Sequence, residues 1–135
     1  MSVTRGADLL ISAMQQDGVE VLFTLSGNQI MPLFDASLDA EIRLVHSRHE
    51  AASVFMADSY AQASGKIGVA LVTAGPGFAN ALGALYSCQM SETPVILLSG
   101  DSPTHLDGMG AFQEMSQRDA ARPFVKHTEL SLIHV

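Results

Sequence analysis

From Ala7 to Leu98 the chain alternates helical repeats with short unbroken apolar runs, and this alternation limits the folds open to it more than any other feature. Ala7, Leu10, Ile11 and Met14 recur on one helix face, with Thr4 as a candidate N-cap and Gly18 where a left-handed C-cap residue belongs. Val19 to Leu25 then reads as a strand buried on both faces, too short for a helix. Ser26-Gly27-Asn28 ends it; Gly27 permits a tight turn, and Asn28 is placed to cap a second helix through Ile30, Met31, Leu33, Phe34 and Leu38. Pro32 is tolerated there because it falls in the first turn. Further strands are predicted at Ile42 to His46, Ile67 to Thr73 and Val95 to Leu98. Helices are predicted from Glu50 to Ser64, stopped by Gly65, and through Leu82, Leu85 and Cys88 to about Ser91. This order predicts an α/β fold, a three-layer sandwich with a mainly parallel sheet covered by helices on both faces.

After Gly100 the pattern loosens into a segment rich in Asp, Gly, Pro and Met, Asp101 to Gly110, long enough to read as a functional loop. A short helix or turn reaching about Ala121 and a last strand-like run, Phe124 to Thr128, are predicted behind it. The apolar, uncapped run Ser131-Leu132-Ile133-His134-Val135 reads as a cut in a longer chain.

A chain of 135 residues is the size of one domain, able to bury roughly two-thirds of its unfolded surface without disulfides or structural metal. Seven basic against fourteen acidic residues give a net charge of −7, the wrong sign for a nucleic-acid backbone. Cys88, the single cysteine, lies on a helical pattern and reads as an inert buried thiol in a reducing compartment. No apolar run approaches the roughly 18 residues of a membrane span, so a cytoplasmic protein is expected. His46, His49, His105, His127 and His134 follow no metal-ligand spacing, and no G-x-S-x-G elbow is present.

In open parallel sheets, ligands bind outside the carboxyl ends of the strands. Ser26-Gly27-Asn28, Arg48-His49-Glu50 and Gly75-Pro76-Gly77 all fall there. The glycines of the third could cradle an anion at a helix start or form a turn that packs backbone against another molecule. It is no dinucleotide fingerprint, because Asn80 stands at the third glycine position, and it lacks the lysine and hydroxyl residue of a P-loop. Glu50 taken alone is equally a first-turn acid favoured by the helix dipole.

The set Arg48-His49-Glu50, Ala57-Asp58-Ser59-Tyr60-Ala61, Gly65-Lys66, Thr73-Ala74-Gly75-Pro76-Gly77 with Asn80, Ser99-Gly100-Asp101-Ser102-Pro103 and Gly110-Ala111-Phe112-Gln113-Glu114 resembles the N-terminal pyrimidine-binding domain of thiamine diphosphate-dependent enzymes. The likeness runs from about Thr4 to His127 and is strongest to the acetohydroxyacid (acetolactate) synthase branch, which includes 2-hydroxyacyl-CoA lyases. It implies that Glu50 is catalytic, hydrogen-bonding a ring nitrogen of the cofactor's aminopyrimidine and serving as its proton partner while shielded from water. It implies that Gly27, Glu50, Gly75, Pro76, Gly77 and Asn80 bind the cofactor, with Asn28, Phe112 and Gln113 on the substrate side. The turn Ser26-Gly27-Asn28 departs from the family's usual Pro-Gly-Gly, which leaves substrate preference open.

The resemblance further implies that magnesium and diphosphate are held by a separate domain, since Gly100-Asp101 continues as Ser102-Pro103 and not as Gly-Asp-Gly. The chain is thus expected to be a single, truncated pyrimidine-binding domain, 1–135, inactive alone. It would pair with the diphosphate-binding domain of a second subunit in a homo-oligomer and act on a 2-oxo acid. Two alternatives stand beside this: a complete small subunit of a split 2-oxo acid decarboxylase, and an assembly module that kept the fold without catalysis.

Overall fold

The computed structural model describes residues 5–131. Thr4, expected as a cap, and Leu132, Ile133, His134 and Val135 lie outside the described residues; Arg5 holds the N-cap position, its amide donating to Asp8 Oδ2 at 3.0 Å.

Four strands form one all-parallel sheet in the order β2-β1-β3-β4: β1 Val21–Thr24, β2 Arg43–His46, β3 Gly68–Val72 and β4 Val95–Ser99. The helices are α1 Gly6–Gln16, α2 Met31–Ser37, α3 Glu50–Ser64, α4 Pro76–Met90 and the short α5 Gln117–Ala121. On one face Ala7, Ile11 and Met14 of α1 and Leu33 of α2 pack on Leu22, Val69 and Leu71. On the other, Val54 and Ala57 of α3 and Ala81, Leu85 and Cys88 of α4 pack on Val21, Phe23, Ala70 and Val72. Alternate residues of the same strands serve opposite faces, so the three-layer sandwich follows from the period of two in a strand. All five β3 residues are buried, which is why its sequence is continuously apolar. Each fully buried side chain such as Leu22 or Leu71 contributes about 1.5–3 kcal/mol.

The segment bounds follow local chemistry. Gly65 stops α3 at φ 70°, and Gly18, at φ 81°, turns the chain from α1 into β1 while the Val19 amide bonds back to the Met14 carbonyl at 2.9 Å. Cys88 is buried, its Sγ 3.3 Å from the Ala84 carbonyl oxygen, and burial, aided by Asp58, pushes its thiol up to about 11. No described helix is long and apolar enough to cross a membrane.

Two expectations are corrected. Phe124 to Thr128 is not a strand: Arg122–Phe124 is a 3₁₀ turn, and Phe124 and Val125 instead pack against the α3/α4 core, with Phe124 edge-on to Tyr86 of α4. Pro123 has no N–H to offer a ladder, and its carbonyl accepts from Gln89 Nε2 at 3.3 Å. Asn28 caps nothing: Asn28–Ile30 is itself a 3₁₀ turn, with Gly27 before it and no side-chain cap.

β1 connects through α2 to β2 on one side, and β3 through α4 to β4 on the other. The adjacent pair β1 and β3 therefore marks the point where the connections reverse, the place where a crevice opens in such sheets.

Candidate functional site

At that crevice Thr73, one residue past β3, stands between two glycines. A Cβ on Gly27 would lie 2.2 Å from Thr73 Cβ, and one on Gly77 would lie 2.7 Å from Thr73 Cγ2. Neither position has room for a side chain, so bare backbone lines the gap. The Thr73 hydroxyl donates to Gln29 Oε1 at 2.6 Å, tying the turn after β1 to the end of β3.

Glu50 is the first residue of α3, and His49 is its N-cap, with Nδ1 accepting from the Ala51 amide at 3.2 Å. The same Cβ on Gly77 would stand 3.3 Å from Glu50 Oε1. Glu50 Oε2 accepts from Asn80 Nδ2 at 3.0 Å, while Oε1 takes no hydrogen bond from a described residue. The carboxylate thus lies between the starts of α3 and α4 with one oxygen held and one open. Glu50 is half-buried and Arg48, His49 and Asn80 are exposed, so the shielding from water expected of Glu50 is incomplete in this chain.

Gly75 has φ 58° and ψ −114°, open to glycine, and a Cβ there would meet the Gln113 carbonyl oxygen at 2.8 Å. Gln113 itself has φ 63°, unusual for a residue with a side chain and of the kind that clusters at functional sites. Behind it Glu114 accepts from the amides of Gly108, Gly110 and Ala111, which hold its carboxyl below the usual range.

Gly27, Glu50, Gly75, Gly77 and Asn80 therefore share one crevice, and Pro76 is the exposed first residue of α4 between the two glycines. Gln113 reaches it through Gly75. Phe112, 77% exposed, and Asn28, exposed and without a side-chain hydrogen bond among the described residues, stand outside that contact set. Sequence reasoning assigned no role to Thr73, Gln29 or Gln117. Thr73 sits inside a quoted motif; the other two carry no local signal. Among the described residues no three His, Cys, Asp or Glu side chains are grouped to hold a metal. A cleft of about 460 Å³ opens nearby between Asp101, Ser102, Glu114 and Gln117, and Glu50 is not in its wall.

Residues 4–120 match the family described as "Thiamine pyrophosphate enzyme, N-terminal TPP binding domain". The chain is 42% identical over 125 residues to the human 2-hydroxyacyl-CoA lyase 2, covering 93% of this chain and 20% of that protein. It is 41% identical over 125 residues to the Danio rerio 2-hydroxyacyl-CoA lyase 2, with the same coverage. It is 37% identical over 123 residues to a probable acetolactate synthase large subunit of Methanocaldococcus jannaschii, covering 91% of this chain and 21% of that one. The chain spans about a fifth of the length of the curated relatives it matches.

Proposed function

The chain belongs to the thiamine pyrophosphate enzymes, as their N-terminal TPP binding domain, and from that membership we propose that it forms the aminopyrimidine half of an active site that makes or breaks a carbon–carbon bond next to a carbonyl. The observation that carries this is the open Glu50 Oε1 facing the bare backbone of Gly77, beside the Thr73 side chain that Gly27 and Gly77 enclose.

The residues fit one part of the cofactor and not the other. A ring nitrogen needs a carboxylate, which Glu50 offers, and the close approach of Gly27 and Gly77 to Thr73 brings backbone beside it. We assign magnesium and the diphosphate to a separate diphosphate-binding domain, best supplied by a second subunit of a homo-oligomer; the described residues group no three His, Cys, Asp or Glu side chains to hold a metal. Thiamine diphosphate, when bound, supplies the carbanion chemistry. Glu50 accepts or donates the proton at the pyrimidine nitrogen, and Asn80 fixes the orientation of its carboxylate. The partner's surface supplies the exclusion of water that the half-buried Glu50 lacks here.

Two substrate classes are open, a 2-oxo acid, as in acetolactate synthesis, and a 2-hydroxyacyl-CoA, the latter favoured by the relatives at 41% and 42% identity. To test the reading, the chain assembled with a diphosphate-binding domain is given thiamine diphosphate and magnesium and assayed with pyruvate and with a 2-hydroxyacyl-CoA. Turnover of either by wild type and its collapse in Glu50→Gln is the expected result. Equal rates for the two proteins reject the role of Glu50, and thiamine diphosphate failing to bind favours the assembly module.

A further inference from the structure

We infer that Gln117 is a positioning residue that fixes the Gly75-Pro76-Gly77 turn against the carboxyl ends of β3 and β4. Its side chain is 7% exposed. Its Oε1 accepts from the Gly75 amide at 3.3 Å and from the Ser99 hydroxyl at 3.0 Å, and its Nε2 donates to the Gly100 carbonyl at 2.8 Å. An amide N–H can only donate and a carbonyl only accept, so one side chain serves both only if it carries both functions. A carboxylate lacks the donor, an aliphatic chain lacks both, and asparagine is one methylene shorter.

What Gln117 holds is the turn that most needs holding. Gly75 sits at dihedrals few residues adopt and has the most freedom to lose, and its position decides where Gly77, two residues on, stands relative to Glu50 Oε1. The Ser99 hydroxyl has one proton and three acceptors in reach, Gln117 Oε1 at 3.0 Å, the Gly100 carbonyl at 3.0 Å and the Thr73 carbonyl at 3.2 Å, and serves one at a time. Gln117 thus ties the start of α5 to the Gly75 turn and to the end of β4. Gln113 meets Gly75 as well, so both ends of the segment from Gln113 to Gln117 reach the turn at Gly75. The hold stands on geometry alone; its consequence for thiamine diphosphate rests on the proposed function.

The test follows amide hydrogen exchange in the 135-residue chain for wild type, Gln117→Met, which keeps shape without hydrogen bonds, and Gln117→Asn, which keeps the amide but is one methylene short of its partners. Gln117→Met and Gln117→Asn are each expected to lower protection of the Gly75 amide about tenfold or more, with Leu22 and Val69 unchanged. Unchanged Gly75 protection in a folded Gln117→Met overturns the inference. Should that variant not fold, Gln117→Asn decides, unchanged Gly75 protection in it overturning the inference. In the assembled enzyme Gln117→Met is expected to bind thiamine diphosphate about tenfold more weakly. Equal binding despite lost protection overturns the link to the site. Wild type that binds no thiamine diphosphate while Gly75 responds as expected overturns the proposed function and supports the hold.

Discussion

Glu50 and Glu114 are both half-buried, and both take hydrogen bonds from N–H groups, yet their carboxylates are used in opposite ways. Glu114 spends both oxygens on the backbone amides of Gly108, Gly110 and Ala111, closing the loop on itself. Glu50 gives one oxygen to Asn80 and leaves the other beside the backbone of Gly77. A carboxylate whose acceptors are filled by its own backbone is a structural part. One held at a single oxygen keeps an acceptor free among the described residues. The resemblance gives Glu50 the catalytic role and Glu114 none; their environments supply a physical difference.

The largest expected effect separates them in function. In the assembled enzyme Glu50→Gln should lower turnover about 10²–10⁴-fold with the melting temperature of the isolated chain unchanged, whereas Glu114→Gln should lower it by less than about tenfold. Steady-state rates and thermal melts check both, and equal losses would break the distinction.

Next comes the close approach at Gly77. Gly77→Ala brings a Cβ to 2.7 Å from Thr73 Cγ2 and 3.3 Å from Glu50 Oε1, and should destabilise the chain by about 1–3 kcal/mol in urea titrations. Gly83, in the same helix, has nothing within 4 Å of an added Cβ. Gly83→Ala should therefore stabilise by about 0.5–1 kcal/mol. The two opposite signs within α4 would sharpen the claim that the close approach at Gly77 is specific.

The smallest effect concerns Glu114 and pH. Its carboxyl is held below the usual range by the amides of Gly108, Ala111 and Gly110, so its contribution is present above the ordinary glutamate value and is lost as pH falls through the depressed one. Amide exchange at Gly110 and Ala111 should thus lose protection on acidification, and Glu114→Gln should remove that dependence. Persistence of the acid response in the variant would assign it to another group.

The fold was legible where local chemistry decides it. Glu50 to Ser64 is a helix with the bounds read from its sequence, because His49 caps one end and Gly65 can turn left-handed at the other. The central strand β3 was legible because burial on both faces removes every polar residue from it. Phe124 to Thr128 misled because a short apolar run after a proline looks alike whether it joins a sheet or lies on a helix. At the site, glycine turns and an acid at strand ends marked Gly27, Glu50, Gly75 and Gly77. The incomplete burial of Glu50 was not legible, since the surfaces that would cover it are not written in this chain's local pattern. Nor was Gln117, whose partners Gly75, Ser99 and Gly100 are 42, 18 and 17 residues away in sequence.

In the proposed function the open oxygen of Glu50 meets the aminopyrimidine ring and sets the rate at which the cofactor loses its reactive proton. Hydrogen–deuterium exchange at the thiazolium carbon of thiamine diphosphate bound to the assembled enzyme, followed by quenched-flow NMR, measures that rate without any substrate. Glu50→Gln should slow it by about 10²-fold or more, with Glu114→Gln close to wild type. Equal exchange in wild type and Glu50→Gln, with the cofactor bound in both, would contradict the account.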